Sequence, residues 1–532
     1  MRIYCSVSVS AWIVVLLTGV NALDHGRVWQ RQSPFLISNK ATEFDEWVNK
    51  QIQHTLDGIL ANIGPDGANV AYGNVNPGVV VASPSKDAPN YYYHWVRDGA
   101  ITMGSLVQEY SETGNETIKK ILDAYVDNAR STQITANPSG TFEHLSGLGE
   151  PKFETDGRPF QGDWGRPQRD GPALRAVCLI SYAKVLMEKE KSSMESLKYL
   201  YKVIKPDLEY VSNSWAIPGY DLWEEVQGLH FFTAMAQYQA LILGVDFSTD
   251  MNDPGAAAWY HTQANGLERF LLAFWDDERG HLVSTLGSPR SGLDAAILLA
   301  SIHSNGLYPY PMHNDAVIAS LQALVADMRG RYPINDEDST LSDTEPAAVA
   351  IGRYPEDVYN GGDGRSGDLG NPWFLCTASV AHVLYGLVEH LALSPGSLVI
   401  SNLTAEFYLP FIVSSPELKA SYYDFSTTAV STRSETILAF EPSSNETQNI
   451  IESVMEYADG FLKVVRRHSD VQGEFSEQFD RTTGFMRGAR QLTWSYEAVR
   501  GAVKMRGRAQ DAIRRRAIYM GEVASLQQRA KL

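Results

Sequence analysis

Apolar residues recur at helical spacing along most of the chain. In ATEFDEWVNKQIQHTLDGILANIG (41–64) they fall at 44, 48, 52, 56, 59, 60 and 63. The segment opens at Thr42, with Asp45 three residues on, and stops at Gly64-Pro65. Runs of the same kind near 98–113, 115–134, 169–190, 192–213, 226–244, 254–276, 291–303, 313–331, 371–393, 445–468 and 490–509 predict eleven further helices. Strand-like alternation is scarce and concentrated in 396–440. Long loops rich in Gly, Pro and Asn occupy 64–90, 135–168 and 354–372, lengths that in a compact domain usually carry function. With no low-complexity linker, the pattern predicts an all-α fold of twelve helices. Six hairpins closed into an (α/α)6 barrel, with loops at one end forming a pocket, accommodate it.

Composition narrows the partners. The 532 residues are 44% hydrophobic and carry a formal charge of −18, a surface that repels nucleic-acid phosphates and anionic lipid. Nucleic acid is therefore not an expected partner. The basic stretch RGRAQDAIRRR (506–516) reads as a solvated helical face. Residues 1–22 read as a secretory signal: Arg2, the apolar run 11–20, and small residues up to Ala22. No apolar run is long enough for a comfortable membrane span. The expectation is a secreted or vacuolar monomer whose residues 23–532 form one domain. Sequons at Asn115, Asn402 and Asn445 suit that compartment as glycosylation sites. Once Cys5 leaves with the signal, Cys178 and Cys376 are read as buried thiols.

Five segments combine tryptophan with arginine and carboxylates, a mixture suited to carbohydrate. Sugar-ring faces stack on aromatics, while hydroxyls require charged hydrogen-bonding groups of fixed geometry. They are YYYHWVRDGA (91–100), QGDWGRPQRDGPALRA (161–176), GYDLWEEVQG (219–228), GRYPEDVYNGGDG (352–364) and GEFSEQFDRTTGFMRGARQLTWSYEAV (473–499). Arg97 beside Asp98 fits an ion pair and helix cap as well as a clamp on two sugar hydroxyls. Glu224 and Glu225 fit the first turn of the helix predicted at 226–244, where carboxylates favour the macrodipole. Adjacent like charges next to Trp223 also fit a pair with one raised pKa. Composition does not single out Glu477. No zinc, dinucleotide, P-loop or EF-hand pattern is present, so neither metal nor cofactor is expected.

Taken together and in this order, WVRD, DWGRPQRDGPALRA, GYDLWEEV, GRYPEDVYNG with NPWFL, and SEQFD with LTWSY resemble the glucoamylases of glycoside hydrolase family 15. The resemblance spans roughly 90–500 and implies the (α/α)6 barrel. It implies inverting, exo-acting release of β-D-glucose from starch, maltooligosaccharides and glycogen, with α-1,4 links cut faster than α-1,6. By the same resemblance Glu224 matches the general acid and Glu477 the general base. Glu225, Arg97, Asp98 and Arg353 match substrate-binding groups; Tyr91, Trp95, Trp164, Leu222, Trp223 and Trp494 match pocket walls. Glu225 would help to keep Glu224 protonated. Val96, Gly99, Leu229 and His230 depart from the family pattern and are expected at the pocket rim. No starch-binding domain is evident, so weak adsorption to raw granules is expected.

Overall fold

The computed structural model describes residues 42–71, 73–190, 193–336, 347–362, 369–412 and 436–530. The segment read as a signal peptide, with its expected cleavage point and the residues that follow up to 41, lies outside the described residues. The barrel described next lies within the unit Phe44–Leu532.

All twelve predicted helices are present among the described residues. They are α1 Glu43–Ala61, α2 Val96–Thr113, α3 Glu116–Ile134, α4 Asp170–Lys189, α5 Met194–Ser214, α6 Phe231–Asp250, α7 Pro254–Leu271, α8 Ala295–His303, α9 Asp315–Arg331, α10 Phe374–Leu393, α12 Asn445–His468 and α13 Thr493–Ala530. A one-turn helix, α11 Ala405–Tyr408, adds to them. Helices α2, α4, α6, α8, α10 and α13 each pack on the next, and α13 returns to α2, which closes an inner ring. Helices α3, α5, α7, α9 and α12 pack outside it. Helix α1 is fastened to α13 from the outside through the Arg506–Asp45 ion pair.

Side-chain pattern decides the layer. Helix α12 buries one stripe, including Ile450, Val454, Phe461 and Val465, and presents its other face to water, as an outer helix must. Helix α10 is apolar over most of its circumference, and Phe374, Leu375, Val383, Leu384 and Tyr385 are fully buried. Each large apolar side chain so buried contributes about 1.5–3 kcal/mol. By length and composition α10 could cross a membrane, contrary to the reading that no segment is long enough, but neighbouring helices cover it. Polar caps fix the helix starts: Asn115, Ser193, Asp253, Asp294, Asn314 and Ser444 each accept backbone N–H bonds.

Strand content is confined, among the described residues, to five two-stranded antiparallel ribbons. In β1/β2 (His94–Trp95 and Lys152–Phe153), Trp95 lies opposite Lys152. In β3/β4 (Gly219–Tyr220 and Gln227–Gly228), Tyr220 lies opposite Gln227. Ribbon β5/β6 joins Trp275–Asp276 to His281–Leu282, and β7/β8 joins Leu398–Ser401 to Thr436–Phe440, within the predicted strand-like region. Ribbon β9/β10 pairs Gln478–Phe479 with Met486–Arg487.

Three further sequence readings need correction. Helix α6 starts at Phe231 and not at 226, because Gln227 and Gly228 are taken into ribbon β4. Helix α13 runs on to Ala530, past the predicted end at 509. Its basic stretch is also not simply a solvated face. Arg506 is buried and forks onto Asp459, and the buried Arg516 reaches the carbonyls of Leu391 and Pro442. Arg500, just before it, is buried against Glu109. These cations fasten the last inner helix to its neighbours. Cys178 and Cys376 are free and buried, as expected.

Candidate active site

The N-terminal ends of the inner helices surround a cavity of about 280 Å³. All twelve residues matched to catalytic or binding roles line it: Glu224 and Glu477, the charged Arg97, Asp98, Glu225 and Arg353, and the wall residues Tyr91, Trp95, Trp164, Leu222, Trp223 and Trp494. Tyr359 and Trp373 also line it. Neither had been assigned a role, although both sit in the quoted segments GRYPEDVYNGGDG and NPWFL. Leu229, His230, Val96 and Gly99 are not at its rim. His230 is buried under the β3/β4 ribbon, bonded to the Gly219 carbonyl at 3.0 Å and Thr285 Oγ1 at 2.9 Å. The Val96 side chain lies toward Gly171, and Gly99 abuts the His94 ring.

The paired glutamates sit in the turn between β3 and β4, so the helix-cap reading fails. The Asp221 carboxylate organises that turn, accepting from the backbone N–H groups of Glu225 at 2.8 Å and Val226 at 2.7 Å. Glu224 takes a left-handed conformation, φ 69°, which costs a non-glycine residue about 1–3 kcal/mol. The outcome is two side chains with different surroundings. Glu224 Oε1 accepts from Trp95 Nε1 at 2.7 Å and Gln168 Nε2 at 2.9 Å, with the Arg97 guanidinium at 3.7 Å. Glu225 accepts from Arg353 at 2.8 Å, Arg290 at 3.1 Å and the Tyr354 hydroxyl. Burial would raise the Glu225 carboxyl, but Arg353, Tyr354 and Arg290 outweigh it and hold it below its ordinary value. The Glu225 charge is thus neutralised by cations on the side where it lies. This removes the basis for reading it as the group that keeps Glu224 protonated.

Glu477 enters from the segment before β9 and is fully buried. Its Oε2 accepts from the Tyr359 hydroxyl at 3.3 Å, and Tyr359 in turn shares a 2.9 Å bond with the Tyr91 hydroxyl. Burial pushes the Glu477 carboxyl up to about 7, against the opposing pull of Tyr91, Arg353, the Ala489 amide and Tyr359. Gly488 faces it with φ 71°, where a Cβ would meet the Glu477 carboxylate, so another residue there would both strain the backbone and displace that side chain.

Arginines tie the floor together. Arg97 donates to Gln168 at 2.8 Å and Asp170 at 3.0 Å, and pairs with Asp98 at 3.6 Å. Burial raises the Asp98 carboxyl to about 6 despite that arginine. Arg353 forks onto Asp357 at 2.9 and 2.6 Å, and its guanidinium lies 5.3 Å from the ring centres of Trp223, Tyr359 and Trp373. Trp223 donates to Asp294 at 3.0 Å, the residue that caps α8, and its ring lies 5.7 Å from that of Trp373.

Five buried polar atoms of the lining residues have no hydrogen-bond partner among the described residues: Arg97 Nε, the indole nitrogens of Trp164, Trp373 and Trp494, and Glu477 Oε1. Buried polar groups are normally satisfied, so a cluster of four donors and an acceptor calls for a ligand that both accepts and donates. Hydroxyl groups do both, and the aromatic rings offer stacking faces. Of the sequons, Asn115 and Asn445 are exposed at helix starts and Asn402 is half-buried.

The sequence profile described as "Glycosyl hydrolases family 15" matches residues 53–500. Glucoamylase GLU1 of Saccharomycopsis fibuligera is 36% identical over 495 residues, covering 88% of this chain and 91% of that protein. A probable glucoamylase of Schizosaccharomyces pombe is 35% identical, covering 93% and 98%. Among solved structures, glucoamylase from Saccharomycopsis fibuligera superposes with a TM-score of 0.79 at 34% identity, covering 88% of this chain and 96% of that one. The family 15 glucoamylase from Hypocrea jecorina gives 0.77 at 33% identity, covering 87% and 72%.

Proposed function

We propose, from the premise that this chain belongs to family 15 of the glycosyl hydrolases and is a glucan 1,4-α-glucosidase, that it removes single glucose units from the non-reducing ends of starch and maltooligosaccharides with inversion. The observation that carries this reading is the meeting of Glu224 and Glu477, from distant parts of the chain, on one small aromatic-walled cavity. In the proposed step Glu224 protonates the glycosidic oxygen as the C1–O bond breaks. Glu477 takes a proton from a water that attacks C1 from the opposite face, giving β-D-glucose. Inversion requires the two carboxyls about 6.5–9.5 Å apart, with room for that water. Trp95 and Gln168 already aim N–H groups at Glu224 Oε1, where negative charge grows as the proton leaves. Arg97, Asp98 and Arg353 clamp the terminal sugar, and a cavity of this size supports exo action. Export to the secretory route, with glycans on Asn115, Asn402 and Asn445, completes the proposal.

One observation favours a second reading, with the two carboxyls exchanged. Burial pushes Glu477 up to about 7, the direction a proton donor needs. α-D-Glucosyl fluoride separates the two, because fluoride leaves without protonation. Under the proposed roles Glu224→Gln keeps most fluoride hydrolysis while losing maltoheptaose hydrolysis, and Glu477→Gln loses both. The reverse pattern exchanges the roles. Following maltoheptaose cleavage by NMR tests the stereochemistry: β-glucose must appear first, and initial α-glucose ends the inverting proposal.

A further inference from the structure

Lysine is almost never fully buried unless a charge partners it. Lys152 is 2% exposed, yet its ammonium is met by rings. Nζ lies 3.5 Å from the ring centre of Trp164, 4.1 Å from those of Tyr93 and Phe160, and 4.6 Å from that of Trp95. Four aromatic faces around one cation replace part of its lost hydration through their quadrupoles. An apolar side chain of similar length would fill the same space without that desolvation cost, so the charge itself calls for an explanation.

The ribbon geometry supplies it. Lys152 and Trp95 are directly opposed in β1/β2, which fixes their side chains on one face. Trp95 is the aromatic hub of this wall, edge-on to Tyr91 and Tyr93 and 6.1 Å from Trp164, and its indole N–H is the 2.7 Å donor to Glu224. We propose that Lys152 is a positioning residue for the reaction: its caged ammonium holds the Trp95 and Trp164 rings in register, aims Trp95 Nε1 at Glu224, and adds positive charge where Glu224 becomes a carboxylate as it gives up its proton. This rests on the reading of Glu224 as the proton donor.

The electrostatics agree with the geometry. Burial pushes the Lys152 ammonium down to about 8, and Glu224 is the foremost charge drawing it back, followed by Glu154, while Arg166 opposes it. Around Glu224 itself stand Arg97 and Asp98, besides the ion-paired Glu225. Stabilisation that grows as Glu224 ionises acts on the transition state more than on bound substrate.

The test compares Lys152→Met, Lys152→Gln and Lys152→Arg on maltoheptaose across pH. Both neutral variants should lose about 10- to 30-fold in kcat with KM changed less than about twofold. The alkaline limb of the kcat profile should move to higher pH, since an acid that loses a neighbouring cation holds its proton longer. Lys152→Arg, which keeps the charge and stacks on aromatic rings, should restore the limb and much of kcat. If only one neutral variant folds, it carries the comparison alone. A folded neutral variant with parental kcat and an unmoved limb overturns the inference, as does a loss of kcat with no limb shift and no rescue by arginine. Glu224→Gln run alongside separates the premises. If it keeps parental kcat, both the acid assignment and the inference fall; if it is inactive while the neutral Lys152 variants are normal, only the inference falls.

Discussion

The inner ring encloses two cavities of opposite character. At the N-terminal ends of its helices lies the cavity of about 280 Å³ that holds Glu224 and Glu477. Further along the same helices lies one of about 1040 Å³, lined by the C-terminal parts of α8 and α10 and the first half of α13. Among the described residues the larger cavity has no tryptophan, tyrosine or phenylalanine in its lining, but four histidines, His303, His313, His382 and His390. Burial holds all four below the ordinary histidine value. Its two cations are answered by carboxylates: Arg508 forks onto Glu389, and Lys504 pairs with Glu109 and Glu112. The smaller cavity leaves donors unsatisfied, offers ring faces and has Asp98, in the first turn of α2, in its lining, while Asp294, which caps α8, accepts from the lining residue Trp223. Helix N termini favour negative charge, so the end of the barrel that collects them suits carboxylates. Volume does not mark the site; unsatisfied polar groups beside aromatic walls do.

The comparison breaks most severely if the smaller cavity can lose a carboxyl without consequence. Glu224→Gln and Glu477→Gln should each lower maltoheptaose turnover by about 10²–10⁴-fold with the fold intact, measured as glucose release beside a circular-dichroism melt. A change below about tenfold in either removes that residue from the chemistry.

A smaller effect is expected at Arg353. Arg353→Leu leaves Asp357 buried and Glu225 half-buried without their shared cation, a loss of about 3–5 kcal/mol when a buried pair is broken. The melting temperature should fall and KM for maltose should rise at least about tenfold. Unchanged KM would detach Arg353 from substrate.

Tyr359→Phe sharpens the pH behaviour. Its hydroxyl bond lowers the Glu477 pKa, so removing it should raise that pKa further. A base must be ionised to act. The acidic limb of kcat/KM should therefore move to higher pH, by about 0.5 pH unit for a bond of this length. No movement, or movement downward, contradicts Glu477 as the base.

The far cavity should show the smallest effect. Glu497 lines it, and burial pushes its carboxyl up to about 8. Between its ordinary value and about 8, the folded chain holds a proton that the unfolded chain releases, so stability drains as pH rises through that window. Glu497→Gln should leave glucose release within about twofold. Relative to the parent its melting temperature should gain between pH 5 and pH 8, with little difference at pH 4. A loss of activity comparable to Glu224→Gln would erase the contrast between the two ends.

The sequence by itself determined the twelve helices and the chemistry available in the loops. Helical periodicity and the composition of a segment are properties of neighbouring residues, so 445–468 could be read directly, and 371–393 to within three residues of its observed start at Phe374. Segment identity also carried the matched residues, every one of which lines the smaller cavity. Tertiary structure decided what each of them meets. Glu224 and Glu225 are equivalent in sequence, but a left-handed turn sends one toward Trp95 and Gln168 and the other onto Arg353 and Arg290. Lys152, in GLGEPKFETDG, has no local mark of importance; its significance comes from a cross-strand partner and two rings on a separate loop. The basic residues of α13 look solvated in sequence because their carboxylate partners lie on α1, α2, α10 and α12. Charge pairing, burial and pKa depend on groups brought together by closure of the barrel, and no local pattern contains that information.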